Sequence, residues 1–291
     1  MTMVYLNGEF MPIEQAKISV LDRGFIFGDG VYELIPVYSR RPFRLGEHLA
    51  RLRSSLEAVR LSNPFEESKW AELVQRIVAG NPWQDQSVYL QVTRGVAGRD
   101  HTFPKGLSPT VFLMASELVP PSAELVKNGA AAIVLPDFRW LRCDVKSTSL
   151  LANCMLRTAA SEAGCAEAIL VRAGELTEAS ASNVFIVKGG TVLAPPKSHL
   201  ILPGITYDVV IEILRANAIA HEIRRVAESE LRSAEEIWIT SSSREVLAIT
   251  TLDGAPVGAG AAAGRPGGVF ARVHALYQQY KARVMRAPAH A

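Results

Sequence analysis

Residues 139–151 read Arg-Trp-Leu-Arg-Cys-Asp-Val-Lys-Ser-Thr-Ser-Leu-Leu, and residues 176–183 read Leu-Thr-Glu-Ala-Ser-Ala-Ser-Asn. The first stretch puts Lys146 just ahead of a predicted helix. The second puts Glu178 in a predicted loop of small residues just past a strand. A lysine amine and a facing carboxylate are the groups that a carbonyl cofactor needs from a protein. The rest of the chain has to supply the partners of such a cofactor.

Lys146 is a candidate for holding pyridoxal phosphate. That cofactor needs a lysine whose amine forms a Schiff base and later moves protons as the neutral amine. A lysine between an apolar strand end and an apolar helix meets this requirement, because exclusion of water lowers the pKa of an amine. A solvated surface lysine is the alternative, and it is the more common meaning of such a pattern.

Glu178 is a candidate for the partner of the pyridine nitrogen. A facing carboxylate favours the protonated ring, which is the form that accepts electrons. The small side chains of residues 179–182 would let a planar ring approach the backbone. The alternative is an ordinary glutamate in a turn.

Composition indicates a globular protein with more than one domain. The chain has 291 residues, which exceeds the length of one typical core. Its net charge of +2 gives no reason to expect nucleic acid or an anionic membrane as a partner. The three cysteines and the N-terminal sequence predict reduced thiols, no signal peptide and a cytoplasmic protein. No apolar run approaches the ~20 residues of a spanning helix, and no metal site is predicted.

The front of the chain predicts an α+β domain. Asn7-Gly8 between two short apolar runs is a hairpin signal, and leucines at helical spacing predict a helix over residues 46–60. Pro120 and Pro121 break regular structure. We therefore expect an N-terminal α+β domain over residues 1–119, a linker over 120–123, and a larger C-terminal domain over 124–291.

The C-terminal part alternates predicted strands and helices. A helix over residues 150–163 precedes a strand over 168–171, and a helix of about residues 206–216 follows Gly204. The segment 254–268 is rich in Gly, Ala and Pro, so we predict a mobile loop there.

Three groups could bind a phosphate. The Gly204-Ile205-Thr206 turn opens a helix, so its N–H groups could hold an anion. Ser241 and Ser242 at a strand end could form a small nest, and Arg51 could add a bidentate guanidinium. Each also has an ordinary alternative: a helix cap, a polar turn and an exposed arginine. Arg51 lies off the leucine stripe of its helix, which favours the last of these.

A substrate carboxylate could be bound by three further side chains. Arg99 and His101 flank Asp100 in a polar loop, and Tyr32 could act as a third donor. The alternative is that Arg99 and His101 lie in a loop that faces solvent, which explains the Arg-x-His spacing equally well. The templates for dinucleotide binding, Walker loops and metallopeptidases do not match.

Taken in order, these motifs resemble the class IV aminotransferases, which are fold-type IV pyridoxal phosphate enzymes. The resemblance covers nearly the whole chain, and within the family the D-amino acid enzymes are most similar. The matching segments are residues 22–33, 47–52, 92–101, 139–147, 177–185, 202–206 and 240–241.

The resemblance implies a two-domain α+β fold whose larger domain carries a mixed sheet or pseudo-barrel. It also implies a homodimer and a pyridoxal 5'-phosphate cofactor bound between the domains. Lys146 would be the catalytic residue that forms the Schiff base, and Tyr32, Arg99 and His101 would bind the substrate carboxylate. The remaining cofactor ligands would be Arg51, Glu178, Ser182, Leu202, Gly204, Ile205, Thr206, Ser241 and Ser242.

The implied reaction is a ping-pong amino transfer from D-amino acids, D-alanine for example, to a 2-oxo acid such as 2-oxoglutarate or pyruvate. A branched-chain L-amino acid or R-amine transaminase and an aminodeoxychorismate lyase are the alternatives on the same fold. A non-enzymatic protein that only binds a phosphate ligand is the alternative of a different class. Tyr207 departs from the family pattern, because an arginine is usual directly after the Gly-Ile-Thr turn.

Overall fold

The computed structural model describes residues 2–286 and divides into two compact units. The first unit takes the chain up to Val119 together with Val145–Leu150, and the second takes Pro120–Asp144 and the chain from Leu151 onward. Both units contain helices and a sheet, so the predicted two-domain α+β class is confirmed. The short segment with Lys146 groups with the first unit, although its sequence neighbours on both sides belong to the second.

The first unit is an antiparallel sheet covered by helices. Its elements are β1 (Met3–Leu6), β2 (Glu9–Pro12), α1 (Arg23–Phe27), β3 (Gly30–Tyr38), β4 (Arg41–Pro42), α2 (Leu45–Ala58), α3 (Glu67–Gly80), β5 (Gln86–Thr93) and β6 (Thr110–Glu117). Its strands follow the order β2-β1-β6-β5-β3-β4.

Local sequence explains how this sheet is covered. Asn7 and Gly8 both have positive φ, so the β1–β2 hairpin is confirmed. Leu52 and Leu56 of α2 and Trp70 of α3 are buried in the core of this unit. Val31 and other alternate residues of β3 belong to the same core, because side chains two apart on a strand point to the same face. The intervening residues of β3, among them Tyr32, lie on the opposite face.

The second unit carries a mixed sheet in the order β12-β11-β10-β13-β14-β7-β8-β9, with β15 on β14. β7 runs parallel to both β8 and β14, and most other pairs are antiparallel. Its elements are α4 (Ala123–Asn128), β7 (Ala130–Pro136), α5 (Leu151–Glu162), β8 (Glu167–Arg172), β9 (Glu175–Ala179), β10 (Asn183–Lys188), β11 (Thr191–Ala194), α6 (Ile205–Ala216), β12 (His221–Ile223), α7 (Glu228–Arg232), β13 (Glu236–Ser241), β14 (Glu245–Leu252), β15 (Ala255–Pro256) and α8 (Gly268–Lys281).

The two faces of this sheet have different neighbours. Val184 and Ile239 belong to the aliphatic core on one face. Phe185 points the other way, and its ring lies 4.9 Å from the ring of Tyr207 on α6 and 6.2 Å from that of Trp238. Asn183 has the same parity as Phe185 on β10, and it pairs with Thr240 on β13. Asn183 and Thr240 therefore lie on the face that α6 covers.

Several elements differ from the sequence predictions. Glu178 does not lie in a loop past a strand, because it is part of β9. The strands β3 and β14 were not predicted, since the glycines before β3 and the serines before β14 read as turns. Within residues 254–268, Val257 N–H donates to Thr250 O at 2.9 Å, and the mobility of that segment stays a prediction. Between residues 2 and 286, none of the helices is long and apolar enough to cross a bilayer.

Candidate active site

Lys146 is fixed by its backbone to β3 of the first unit. Its carbonyl accepts from Tyr32 N–H at 2.9 Å, and its own N–H donates to Ser55 Oγ at 3.3 Å. The neighbouring Ser147 forms an antiparallel bridge with Val31. The segment thus behaves as a short extra strand beside β3, which fixes the point from which the lysine side chain leaves the backbone.

The side chain of Lys146 lies over an aromatic ring. Its Nζ is 4.3 Å from the ring centroid of Tyr32, and that ring stacks on Tyr89 with centroids 5.6 Å apart. Burial raises the pKa of Tyr89 to about 12, and its hydroxyl donates to Gln91 Oε1 at 2.7 Å. The tyrosine rings give the amine an apolar, half-buried environment without a carboxylate partner among residues 2–286.

Beneath that strand lies a buried ion cluster centred on Glu33. Arg51 Nε donates to Glu33 Oε1 at 2.7 Å, and Arg51 Nη2 donates to Oε2 at 2.8 Å. His48 Nδ1 is 2.8 Å from Oε2 and donates, because an ionised carboxylate only accepts. Burial alone would raise the pKa of Glu33, but these partners hold it well below its usual range. Arg51 is therefore buried, not solvated as periodicity suggested.

The structure brings Arg99 and His101 together at one ring. Arg99 Cζ lies 5.6 Å from the ring centroid of Phe27, and the His101 ring lies 5.5 Å from the same centroid. Arg23 Nη1 donates to Asp100 O at 2.6 Å and fixes the loop between them. Both side chains are exposed. Within residues 2–286, no hydrogen bond or ring contact joins either of them to Tyr32, the third predicted member of the group.

Glu178 is the centre of a buried polar cluster in the second unit. Its Oε1 accepts from Arg139 Nη1, while Oε2 accepts from Asn183 Nδ2 at 3.1 Å and from Leu202 N–H at 3.0 Å. The side chain is 4% exposed. Burial raises the pKa of Glu178 to about 7, although the Arg139 guanidinium and the Leu202 N–H oppose the rise.

Arg139 is shared between two carboxylates. Its Nε and Nη2 donate to the two oxygens of Asp137 at 3.0 and 2.9 Å, which leaves Nη1 for Glu178. Arg172 Nη2 also contacts Asp137, at 3.0 Å. Burial alone would raise the pKa of Asp137, but the hydrogen bonds and the charge of Arg139, together with the Thr177 hydroxyl, outweigh burial and lower it. Asp137 is thus the firmly ionised member, and Glu178 is the adjustable one.

Glu178 keeps the capacity to accept one more hydrogen bond. An ionised carboxylate offers about four acceptor positions on its two oxygens. Arg139, Asn183 and Leu202 occupy three of them. The remaining position, on Oε1, matches the single N–H of a protonated pyridine ring.

The N-terminus of α6 and a buried hydroxyl are suited to an anion. Gly204 caps α6 without a side-chain hydrogen bond to the first turn, so the N–H groups of Ile205 and Thr206 have no capping acceptor there. Thr240 lies on the sheet face that α6 covers. Its Oγ1 is buried and has no hydrogen-bond partner within residues 2–286. Buried hydroxyls normally have a partner, so this orphan indicates a ligand or water.

The other predicted cofactor residues have visible roles within the protein. Ser182 Oγ donates to Glu167 Oε2 at 3.1 Å, and Ser241 Oγ accepts from Arg244 N–H at 3.1 Å in the β13–β14 turn. Ser242 follows in that turn. Tyr207, in place of the family's usual arginine, is 2% exposed, and its hydroxyl donates to Pro195 O at 3.0 Å. Position 207 therefore packs in the core between sheet and helix.

The residues present fit pyridoxal phosphate in four respects, three in the second unit and one in the first. Glu178 has one acceptor position, the start of α6 has uncapped N–H groups, and Thr240 has an unpartnered hydroxyl, all in the second unit. In the first unit, Lys146 has an amine over an aromatic ring. None of these features depends on a metal, and residues 2–286 contain no group of His, Cys, Asp or Glu arranged to hold one.

Sequence reasoning assigned no role to four residues of these clusters. Glu33 and His48 were named only as members of the matching segments 22–33 and 47–52. Arg139 and Asn183 were named only as end residues of the stretches that contain Lys146 and Glu178. The usable signal was Asp137-x-Arg139 after a strand, because two opposite charges at a buried strand end predict an ion pair. The contact between Asn183 and Leu202 joins positions 19 apart in sequence and left no local signal.

Comparisons with known proteins agree along the chain. A family model described as amino-transferase class IV matches residues 30–252. The D-alanine aminotransferase of Bacillus licheniformis is 40% identical over 258 residues, covering 89% of this chain and 91% of that protein. The D-alanine aminotransferase of Listeria monocytogenes is 37% identical over 276 residues, covering 94% of both.

Solved structures agree in fold. The branched-chain amino acid aminotransferase of T.th. with pyridoxamine 5'-phosphate superposes with a TM-score of 0.88 at 27% identity, covering 98% of this chain and 95% of that one. The branched-chain amino acid aminotransferase of Escherichia coli gives a TM-score of 0.87 at 25% identity, with coverage of 97% and 94%. Relatives by sequence and neighbours by structure therefore carry different substrate names.

Proposed function

The chain belongs to the class IV aminotransferases, and on that premise we propose that it transfers the amino group of D-amino acids such as D-alanine to a 2-oxo acid. Pyruvate and 2-oxoglutarate are the proposed acceptors, and pyridoxal 5'-phosphate is the proposed cofactor. The observation that carries the proposal is the 40% identity with a D-alanine aminotransferase over 89% of the chain. The Glu178 cluster supports the cofactor independently.

Lys146 would hold the cofactor through Nζ and would move the substrate proton. When bound, pyridoxal phosphate supplies an electron sink for the pair of electrons left on Cα. As a free neutral amine, Lys146 would take the proton from the substrate Cα and deliver it again when the amino group has been transferred. The backbone bonds to Tyr32 and Ser55 fix the origin of this side chain, and the Tyr32 ring under Nζ orients it.

Glu178 accepts the N–H of the pyridine ring through its remaining position on Oε1. Arg139 and Leu202 favour the ionised carboxylate, and an ionised acceptor keeps the ring nitrogen protonated. A pKa of about 7 lets a modest change in the surroundings decide the charge of Glu178. Binding of pyridoxal phosphate, whose ring nitrogen can carry a proton, is such a change.

The phosphate group is held by neutral donors and one cation. The N–H groups of Ile205 and Thr206 point out of the start of α6, where the helix dipole also favours an anion. We assign Ser241, Ser242 and Arg51 to the same phosphate, as in the family. Gly204 lets the Asn183 amide lie against the backbone beside this turn. Leu202 orients Glu178 through its N–H, and Ser182 donates to Glu167.

Tyr32, Arg99 and His101 are the proposed carboxylate-binding residues. Two of them meet at the Phe27 ring, which holds both donors on one side of a small loop. We expect Arg99→Ala to raise KM for D-alanine about 10- to 100-fold, since a charge-assisted hydrogen bond is lost. Affinity for pyridoxal phosphate should change less than twofold; an equal loss of both affinities contradicts this assignment. Steady-state kinetics and cofactor titration measure the two quantities.

A branched-chain L-amino acid aminotransferase is the second candidate. The solved structures of branched-chain aminotransferases superpose with TM-scores up to 0.88, which is the observation in its favour. Assays of D-alanine, L-leucine and an R-amine, each with pyruvate and 2-oxoglutarate, separate the candidates. We expect turnover of D-alanine at least 100-fold above that of L-leucine. Preference for L-leucine, or release of ammonia without amino transfer, contradicts the proposal.

We further propose that the working form is a homodimer. Large apolar side chains are exposed on each unit, for example Val20 and Phe25 on the first and Leu141 and Leu151 on the second. Contiguous exposed apolar patches mark protein interfaces, and we propose that these side chains belong to such patches. Light scattering should give twice the mass of 31.6 kDa, and a mass equal to one chain contradicts the dimer.

The proposed compartment is the cytoplasm. Cys143, Cys154 and Cys165 are free thiols, as expected where disulfides are kept reduced. Burial raises the pKa of Cys143 to about 11, so this thiol is unreactive at neutral pH. Fractionation of the producing cell should recover the activity with cytoplasmic markers, and recovery with exported proteins contradicts the assignment.

A further inference from the structure

We propose that Asn183 is a positioning residue that joins Glu178 to the turn before α6, so that one amide side chain sets both the pyridine acceptor and the phosphate cradle. The inference deepens the proposed function and rests on it. Asn183 touches neither substrate nor reacting atoms in this account. It acts through Glu178 and through the backbone of residues 202–204.

The first contact is a closed ring of hydrogen bonds. Asn183 Nδ2 donates to Glu178 Oε2 at 3.1 Å and to Leu202 O at 2.9 Å. Leu202 N–H donates to the same Oε2 at 3.0 Å. Both hydrogens of the amide are thus in use, and Glu178 and Leu202 are linked directly as well as through Asn183. Asn183 is 6% exposed, so water competes little for these groups.

The second contact is with the residue that caps α6. A Cβ atom on Gly204 would lie 2.0 Å from Asn183 Oδ1. The space beside the Gly204 backbone is therefore already filled by the Asn183 amide. Because Gly204 directly precedes Ile205 and Thr206, the same side chain also locates the first turn of α6.

These contacts decide which acceptor position of Glu178 is presented. Asn183 and Leu202 occupy both positions on Oε2, and Arg139 occupies one on Oε1. Without Asn183, a position on Oε2 would open and the carboxylate could rotate away from its present orientation. The ring nitrogen would then meet a less defined acceptor, and the turn at 202–204 would lose its link to it.

A second buried asparagine provides a matched control. Asn81 in the first unit is 2% exposed, and its Nδ2 donates to Met3 O at 3.1 Å and Ile77 O at 2.8 Å. Its Oδ1 accepts from Met3 N–H at 3.1 Å. Asn81→Ala therefore removes a comparable set of buried hydrogen bonds without touching the Glu178 cluster.

The first experiment compares the full-length holoenzymes Asn183→Ala and Asn81→Ala. We expect Asn183→Ala to weaken pyridoxal phosphate binding about tenfold or more and to shift the pH profile of the cofactor's visible absorbance. Asn81→Ala should lower the melting temperature to a similar degree while leaving both properties as in the wild type. Wild-type affinity and an unshifted pH profile in Asn183→Ala overturn the proposal.

Two further measurements keep the proposal testable if Asn183→Ala folds poorly or the cofactor assignment fails. In Gly204→Ala, the added methyl group displaces Asn183 Oδ1. The pH profile of the cofactor's visible absorbance should therefore shift in the same direction as in Asn183→Ala. In cofactor-free protein, carbon-13 NMR of Glu178, assigned with Glu178→Gln, should show a higher pKa in Gly204→Ala, because a donor to the ionised form is displaced. An unchanged Glu178 pKa there overturns the proposal. A wild-type chain that takes up no pyridoxal phosphate contradicts the proposed function instead.

Discussion

Two of the buried glutamates, Glu33 in the first unit and Glu178 in the second, have opposite protonation behaviour. Glu33 is fully buried, and Arg51 and His48 hold its pKa well below the usual range. Glu178 is 4% exposed, and burial raises its pKa to about 7 even though Arg139 donates to it. Burial and an arginine partner are common to both sites, so neither feature alone decides the charge.

The way in which each arginine distributes its N–H donors explains the difference in pKa between the two glutamates. Arg51 directs both Nε and Nη2 at Glu33. Arg139 directs the same two nitrogens at Asp137 and leaves one donor for Glu178. A carboxylate with an arginine of its own is fixed as an anion, whereas one that shares its arginine stays adjustable. In this chain the adjustable carboxylate is the one suited to a cofactor.

The largest expected effect comes from breaking the ion pair between Glu33 and Arg51. Glu33→Gln leaves the buried Arg51 without its counter-charge, so we expect the free energy of unfolding to fall by about 3–5 kcal/mol. Urea denaturation measures the loss. The exposed Glu57→Gln, on the helix that carries Arg51, is the control and should change stability by less than ~0.5 kcal/mol. If Glu33→Gln lost as little stability as Glu57→Gln, Glu33 and Arg51 would not form a firmly ionised pair.

The next effect is on catalysis and involves the adjustable glutamate. Glu178→Gln removes the ionised acceptor for the ring nitrogen, and we expect turnover of D-alanine to fall about 10²- to 10³-fold. The protein should still retain pyridoxal phosphate, because the lysine and the phosphate donors remain. Stopped-flow absorbance follows the amino-transfer half-reaction. An unchanged rate contradicts the role of Glu178.

The pH dependence of stability separates the two glutamates in cofactor-free protein. The folded pKa of Glu178, about 7, lies above its ordinary value of 4.5, so the folded state holds the proton more tightly. Stability relative to Glu178→Gln should therefore fall by about 2–4 kcal/mol between pH 4.5 and 7. The lowered pKa of Glu33 has the opposite sign: its contribution persists above pH 4.5 and is lost on acidification. Denaturant titrations at several pH values would contradict this account if both variants gave parallel curves.

The smallest expected effect concerns Tyr207 of the second unit. Tyr207→Phe removes the hydrogen bond to Pro195 O but keeps the ring against Phe185, so stability should fall by about 1 kcal/mol. Cofactor affinity should stay within twofold. A larger loss of affinity than of stability would mean that position 207 serves the cofactor, as the family's arginine pattern suggests.

Much of the fold was predictable from local pattern. The Asn7-Gly8 hairpin, the α2 leucine stripe and the helix of about residues 206–216 follow from short-range signals. The strand β3 was missed because the glycines of 24–30 suggested turns, although Gly30 begins a nine-residue strand. Glu178 was misplaced in a loop because its small neighbours hid the end of β9.

The site was predictable in its chemistry but less so in its contacts. Lys146 and Glu178 were identified by residue type and neighbourhood. The burial of Arg51 could not be read from its helix, because Glu33 on a different strand provides the reason. Arg139 is shared between Asp137 and Glu178 because β7 and β9 both pair with β8. Local sequence does not encode this tertiary arrangement.

The central claim is that Lys146 carries pyridoxal phosphate covalently, and borohydride reduction of the purified holoenzyme tests it most directly. After proteolysis, mass spectrometry of the peptides should find the reduced phosphopyridoxyl group on Lys146, and Lys146→Ala should carry none. A wild-type adduct on another lysine, or a purified protein without any adduct, would contradict the account.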